Sequence, residues 1–182
     1  MKLTRRDQLK LLGGAAVAAA VPTALLAESH ATEESTDMAA EGPVTHEILM
    51  LNADPDNPRE RQVFSPPVVR AKVGDTLKFI AEDRGHNAQT DDDWIPEGGT
   101  EWKGRINEDV EVVVEVEGAY GYLCQPHASA GMVGLVLVGD VSGNYEDLKG
   151  ERFRGRAKQR MEKYFEMADA MLAEEAEMAT ES

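Results

Sequence analysis

Cys124 lies three residues before His127 and eight before Met132, in the segment Cys124-Gln125-Pro126-His127-Ala128-Ser129-Ala130-Gly131-Met132. A thiol, an imidazole and a thioether thus fall within nine residues. A second imidazole, His86, stands about forty residues upstream in Gly85-His86-Asn87, just after a strand-like stretch. Two histidines, one cysteine and a weak axial methionine form the donor set of a blue-copper site, where a soft thiolate suits both oxidation states of the metal. Ligands held between the preferences of the two states let an electron leave with little rearrangement. Cys124 would bind as thiolate, so metal uptake is expected to release its proton.

A Cys-x-x-His pair alone is weak evidence for a metal site. A methionine five residues after the histidine, at a strand–loop–strand junction, strengthens it, and His86 strengthens it further. The plain alternative makes Cys124 a core residue, His127 a surface residue and Met132 core filler. By count alone the lone cysteine stays open between a small buried hydrophobe, a reactive thiol and a ligand. It also rules out an internal disulfide, so a secreted fold would lack the usual staple. His46 stands near the start of the first strand-like run with no Cys nearby in sequence, and reads as a solvated surface histidine rather than a ligand.

The elements that must position these residues read mainly as strands. Residues 44–51, 68–73, 76–81 and 132–138 are short apolar runs, several bounded by turn signals such as Gly74-Asp75 and Gly139-Asp140. In 110–116 Val110, Val112, Val114 and Val116 alternate with Glu111 and Glu115, broken only by Val113, which marks a half-buried strand. Tyr120, Tyr122 and Cys124 then share one face of the next strand. Several short strands with turns between them predict an antiparallel sandwich. Beyond it, 145–149 fits one helical turn. Met161, Tyr164, Phe165, Ala168, Met171 and Leu172 recur three and four apart, which predicts an amphipathic helix packing one stripe on the body. Seven basic residues lie between Lys149 and Lys163 and acids follow at the far end, against the helix dipole, so the last turns are expected to fray. No internal repeat is visible.

Residues 1–31 read as an export signal: a basic start (Lys2, Arg5, Arg6, Lys10), an uncharged Ala- and Gly-rich stretch from Leu11 to Ala27, and a twin-arginine-like Thr4-Arg5-Arg6-Asp7. Cleavage after Ala31 or after Ala27 both fit, and an uncleaved membrane anchor is the alternative. The expected organisation is a signal over 1–31, a flexible acidic segment over 32–43, a sandwich domain over 44–140 and a helical extension packed on it over 141–182. The chain of 182 residues carries 34 acidic and 19 basic side chains, a net charge of −15. Such a surface excludes nucleic acid and anionic membranes as partners. Residues 32–148 hold 24 acids against 8 bases, whereas 149–182 are nearly balanced at 8 against 7. The acidity belongs to the sandwich.

Several segments resemble the pseudoazurin family of bacterial periplasmic cupredoxins: Met50-Leu51-Asn52, Val73-Gly74-Asp75-Thr76, Asp83-Arg84-Gly85-His86-Asn87, Ile95-Pro96-Glu97-Gly98, Arg105-Ile106-Asn107-Glu108, and Tyr120-Gly121 through Met132-Val133-Gly134. The resemblance covers residues 44–173. Plastocyanin shares the Cys, His and Met spacing but ends at its last strand, so the helical tail favours pseudoazurin over plastocyanin or halocyanin.

The resemblance implies a mainly β, Greek-key two-sheet cupredoxin sandwich with a C-terminal α-helical tail. It implies one copper ion on His86, Cys124, His127 and Met132, and a monomeric periplasmic electron carrier, not an enzyme. Around the ligands it implies an Asn87 N–H on the Cys124 sulfur, an Asn87 side chain tying the two ligand loops, and a Pro126 that withholds a second donor. The His127 edge becomes the electron port, in an apolar patch of Gly85, Pro126, Ala128 and Ala130. Implied partners are redox proteins, copper nitrite reductase-like or cytochrome c-like. The lysine ring with which the family docks them is absent: Leu123 precedes the cysteine, Arg84 alone is positive beside His86, and Glu82, Asp83 and Asp91–Asp93 lie near in sequence. A reversed docking charge and adaptation to a saline habitat both account for this. Two other functions compete. A copper chaperone or store usually shows clustered Met or His, but the eight Met here are scattered. A cupredoxin that has lost its metal is at odds with four intact donors.

Overall fold

A computed structural model of the chain describes residues 42–180. The export signal and nearly all of the acidic lead-in lie outside the described residues. Eight strands form two sheets: β1 (Thr45–Ala53), β2 (Arg61–Ser65), β3 (Val68–Ala71), β4 (Thr76–Ile80), β5 (Gln89–Thr90), β6 (Val110–Val113), β7 (Gly118–Leu123) and β8 (Val133–Val138). Two helices follow, α1 (Tyr145–Gly150) and α2 (Arg156–Thr180). One sheet runs β2-β1-β4-β6 and the other β3-β8-β7-β5.

The sheets are mixed rather than antiparallel. β1 pairs parallel with β4, and β3 parallel with β8. After β2 the chain crosses to the other sheet for β3, then returns, which brings β4 beside β1 in the same direction. β2 and β5 escape a search for apolar runs, because Arg61-Gln62-Val63-Phe64-Ser65 and Gln89-Thr90 are too polar or too short.

Alternation decides the inner face. Val112 and Val114 are buried while Glu111, Val113 and Glu115 are exposed. Between the sheets Ile48, Met50, Phe64, Leu77 and Phe79 meet Tyr120, Tyr122, Val136 and Val138. The Tyr122 ring lies edge-on to Phe64 at 4.8 Å and to Phe79 at 5.0 Å, and Trp102 stacks on Phe79. Cys124 and Met132 belong to this same core.

β7 and β8 are buried along their whole length because both faces are covered. Ala119, Leu123, Val133, Leu135 and Leu137 face outward onto α1 and α2, where Tyr145, Leu148, Phe153, Ala157, Met161, Tyr164, Phe165 and Ala168 cover them. Each large side chain so buried contributes about 1.5–3 kcal/mol. The helices are tied to each other where the Tyr145 hydroxyl donates to Asp169 at 2.8 Å and Lys149 pairs with the same carboxylate. α2 continues to Thr180 instead of fraying early. Its acidic end is held from the sandwich, since Glu175 accepts from Arg70 Nε of β3 at 2.8 Å, which offsets the unfavourable dipole. His46 also departs from its sequence reading: it lies inside β1, three-quarters buried, with Nε2 2.8 Å from the Asp75 carboxylate.

Candidate metal centre

The end of β7 delivers Cys124 to the rim of the sandwich. A 3-10 turn over Gln125–Ala130 reverses the chain, and Gly131 leads into β8. Pro126 suits the first turn, where its missing N–H leaves no bond unmade. The loop is bonded within itself: His127 N–H to Cys124 O at 3.0 Å, Gly131 N–H to Ala128 O at 3.0 Å, Met132 N–H to His127 O at 3.1 Å and Cys124 N–H to Met132 O at 2.9 Å. Gly131 is required twice over. Its φ is +89°, and a Cβ there would sit 2.9 Å from the Arg156 Cβ on α2.

His86 arrives from the loop after β4. Asn107, itself in the left-handed region at φ +68°, holds that loop: its Oδ1 accepts from Gly85 N–H at 2.6 Å and its own N–H donates to His86 O at 2.9 Å. The three donor atoms converge. Cys124 Sγ is 3.8 Å from His86 Nδ1 and 3.5 Å from His127 Nδ1, and the two Nδ1 atoms are 3.1 Å apart. All the candidate donor atoms of His86, Cys124 and His127 lie within 4.8 Å of one another. Met132 is fully buried in the core cluster that contains Cys124.

Asn52 supplies a contact that the sequence does not announce. Its Oδ1 lies 3.1 Å from His86 Nε2. An amide oxygen only accepts, so Nε2 carries the proton and Nδ1 turns its lone pair to the thiol. Asn52 stands 34 positions from His86, and no local pattern links them. Asn107 has a faint local signal, as an asparagine in a polar turn.

Burial pushes the His86 pKa down, the neighbouring His127 pushes it further, and Asp83 opposes both. Burial pushes the Cys124 thiol up, while the backbone N–H groups of Asn87 and His127 pull it back. Asn87 bridges the loops: Oδ1 accepts from Gln125 N–H at 2.8 Å, and Nδ2 donates to Gly104 O at 3.0 Å and Gln89 Oε1 at 3.2 Å.

The donor set fits the metal the sequence implies. Two imidazole nitrogens facing each other at 3.1 Å beside a buried sulfur leave lone pairs that a cation satisfies, and nitrogen with thiolate selects copper or zinc over calcium or magnesium. Unlike His86, the His127 ring is only partly buried. Gly85, Ala128 and Ala130 are partly buried around it and Pro126 is exposed; a side chain at position 85 would put its Cβ 3.9 Å from His127 Cε1.

Residues 54–139 match the family of copper binding proteins of the plastocyanin/azurin type. Among curated relatives, pseudoazurin of Paracoccus pantotrophus is 39% identical over 126 residues, spanning 69% of this chain and 85% of its own. Pseudoazurin of Methylorubrum extorquens is 36% identical over 118 residues, spanning 65% and 78%. Among solved structures, pseudoazurin from Methylobacterium extorquens AM1 superposes with a TM-score of 0.64 at 35% identity, covering 68% of this chain and 98% of that one. Pseudoazurin from Hyphomicrobium denitrificans gives 0.62 at 36%, covering 66% and 94%. With its sandwich, its C-terminal helix and its converging His, Cys and His side chains, the chain belongs to the pseudoazurin family: it is a copper-binding electron carrier of the cupredoxin class and not an enzyme.

Proposed function

We propose that this chain carries single electrons between redox proteins of the periplasm, with one copper ion held by His86, Cys124, His127 and Met132. The convergence of Cys124 Sγ with the two Nδ1 atoms carries this reading. Bound copper supplies the one-electron couple. The side chains supply the rest. Asn52 fixes the His86 tautomer, Asn87 fixes the peptide after Cys124, and the loop's own bonds fix His127 and Met132, so the ligands keep their places through oxidation and reduction. Cys124 gives up its proton on binding the metal. Four protein ligands leave no open position for a substrate. The His127 edge, framed by Gly85, Pro126, Ala128 and Ala130, is the port.

The basic-then-apolar residues 1–31 support export by the twin-arginine route, which delivers proteins already folded. Among the described residues no helix is long and apolar enough to cross a membrane. A copper nitrite reductase-like or cytochrome c-like protein fits as partner to a monomeric carrier. Adding Cu(II) to the purified protein is expected to give an intense blue colour that ascorbate bleaches. A colourless or merely pale product would sink the reading. Electron-transfer rate against ionic strength then separates the two accounts of the acidic sandwich: a steep fall with salt favours docking, and indifference favours saline adaptation.

A further inference from the structure

We propose that Arg160 is a positioning residue of the copper loop: its guanidinium clamps the Gly131–Met132 peptide to the edge of the opposite sheet. This rests on the reading of Met132 as a ligand. Arg160 Nη1 donates to Gly131 O at 2.7 Å and to Gln62 O at 2.6 Å, and Nη2 donates to Arg61 O at 2.6 Å. All three acceptors are backbone carbonyls. Among the described residues no carboxylate pairs with Arg160, unlike Lys149, Lys158 and Lys163 on the same helical tail.

The Gly131 carbonyl belongs to the peptide whose nitrogen is that of Met132. Arg61 and Gln62 belong to β2, the edge strand of the other sheet. Gln62 has φ +54°, a conformation that residues with side chains seldom adopt, and its carbonyl is one of those the guanidinium holds. A rigid planar fork with several donors suits three carbonyls on two segments better than an ammonium does. Helix packing delivers it: Ala157, Met161 and Tyr164 are buried against the sandwich, and Arg156 lies against Gly131.

The loop's internal bonds hold its shape but not its place relative to the other sheet. That placement matters because the other sheet carries Asn52, which holds His86. β2 pairs with β1 at Leu51↔Val63 and Ala53↔Arg61, on either side of Asn52 and Gln62. A continuous path therefore runs from Met132 through Gly131, Arg160 and β2 to β1, Asn52 and His86. Arg160 closes it, and so sets the methionine side of the site against the histidine side. The strength of an axial methionine tunes the potential of such a centre.

Arg160→Met keeps the stem and removes the donors; Arg160→Lys keeps the charge without the fork; Met161→Ala loosens the same helix but leaves the clamp. In copper-free protein the Met132 and Val133 amides are expected to exchange about tenfold faster in Arg160→Met, since bonds to a charged donor are lost. Arg160→Lys is expected to fall between it and the wild type. After copper loading, the ratio of the two visible thiolate bands and the reduction potential are expected to move in Arg160→Met and not in Met161→Ala, whatever their melting temperatures. Native exchange and a native band ratio in Arg160→Met would overturn the proposal. So would an equal shift in Met161→Ala, which would make the role purely structural. Should Arg160→Met lose its helix by circular dichroism, the exchange in Arg160→Lys decides: faster than wild type supports the clamp, native overturns it. A wild type that never turns blue fails the copper reading instead, and the copper-free exchange still tests the clamp.

Discussion

The side-chain oxygen of Asn87 accepts a 2.8 Å hydrogen bond from the backbone N–H of Gln125, so the residue after one histidine holds the peptide after the cysteine. Asn87 is 1% exposed, and its amide nitrogen is also used, on Gly104 O and Gln89 Oε1. Asn87→Ala takes the acceptor from the Gln125 N–H and the donor from the Gly104 carbonyl, at a cost of about 1–2 kcal/mol because both groups stay within reach of water. Urea unfolding of the copper-free protein is expected to show that loss. A loss below half a kcal/mol would mean that the two loops are held together by other contacts.

Asn52 acts on His86 from outside the donor set. Without the Asn52 oxygen, the His86 ring loses the acceptor that keeps its proton on Nε2 and its lone pair on the thiol side. Asn52→Ala is therefore expected to weaken copper binding about 10- to 100-fold, the usual range for loss of such a partner. Competition with a chelator of known affinity measures it. Unfolding of the copper-free variant should change little, because Asn52 is exposed and its backbone N–H to Asp83 remains.

How much of this was legible beforehand depends on range along the chain. The Val110–Val116 alternation and the shared face of Tyr120, Tyr122 and Cys124 are local, period-two facts, and the buried faces follow them. The Met161–Ala168 stripe is likewise local, and it lies on the sandwich. The donor types at 86, 124, 127 and 132 can be read from their chemistry and spacing. What holds them cannot. Asn52 to His86, Arg160 to Gly131 and Asn107 to Gly85 join residues 22 to 34 positions apart. Parallel pairing of β1 with β4 is hidden for the same reason, since nothing within either strand records the excursion of β3 to the other sheet. His46 reads as solvated because its partner, Asp75, lies 29 residues on.

Pro126 withholds an N–H beside a sulfur that already feels the N–H groups of Asn87 and His127. Pro126→Ala restores a donor, which draws electron density from the thiolate and favours the reduced metal. The reduction potential is expected to rise. A net hydrogen bond of about 1 kcal/mol corresponds to roughly 40 mV for one electron. Cyclic voltammetry reads the shift, and an unchanged or lower potential would show that the new N–H points elsewhere.

Asp75 offers a pH handle away from the metal. It is 3% exposed, and burial by itself would raise its pKa. The N–H groups of Val44 at 2.8 Å and Lys72 at 2.9 Å, with His46 Nε2 at 2.8 Å, outweigh burial and bring it from 3.8 down to about 2. A carboxylate whose folded pKa is depressed stabilises the fold above its unfolded pKa and loses that contribution as pH falls through the folded one. The window is therefore pH 3.8 down to about 2. A shift of this size in a nearly buried group is worth about 2 kcal/mol. In Asp75→Asn the neutral amide cannot contribute this pH-dependent part. Copper-free wild type and variant are expected to differ most above pH 4 and to converge as pH approaches 2, measured by denaturant midpoint. A difference that stays constant across that range would assign the Asp75 contribution to shape and hydrogen-bond count rather than to its charge.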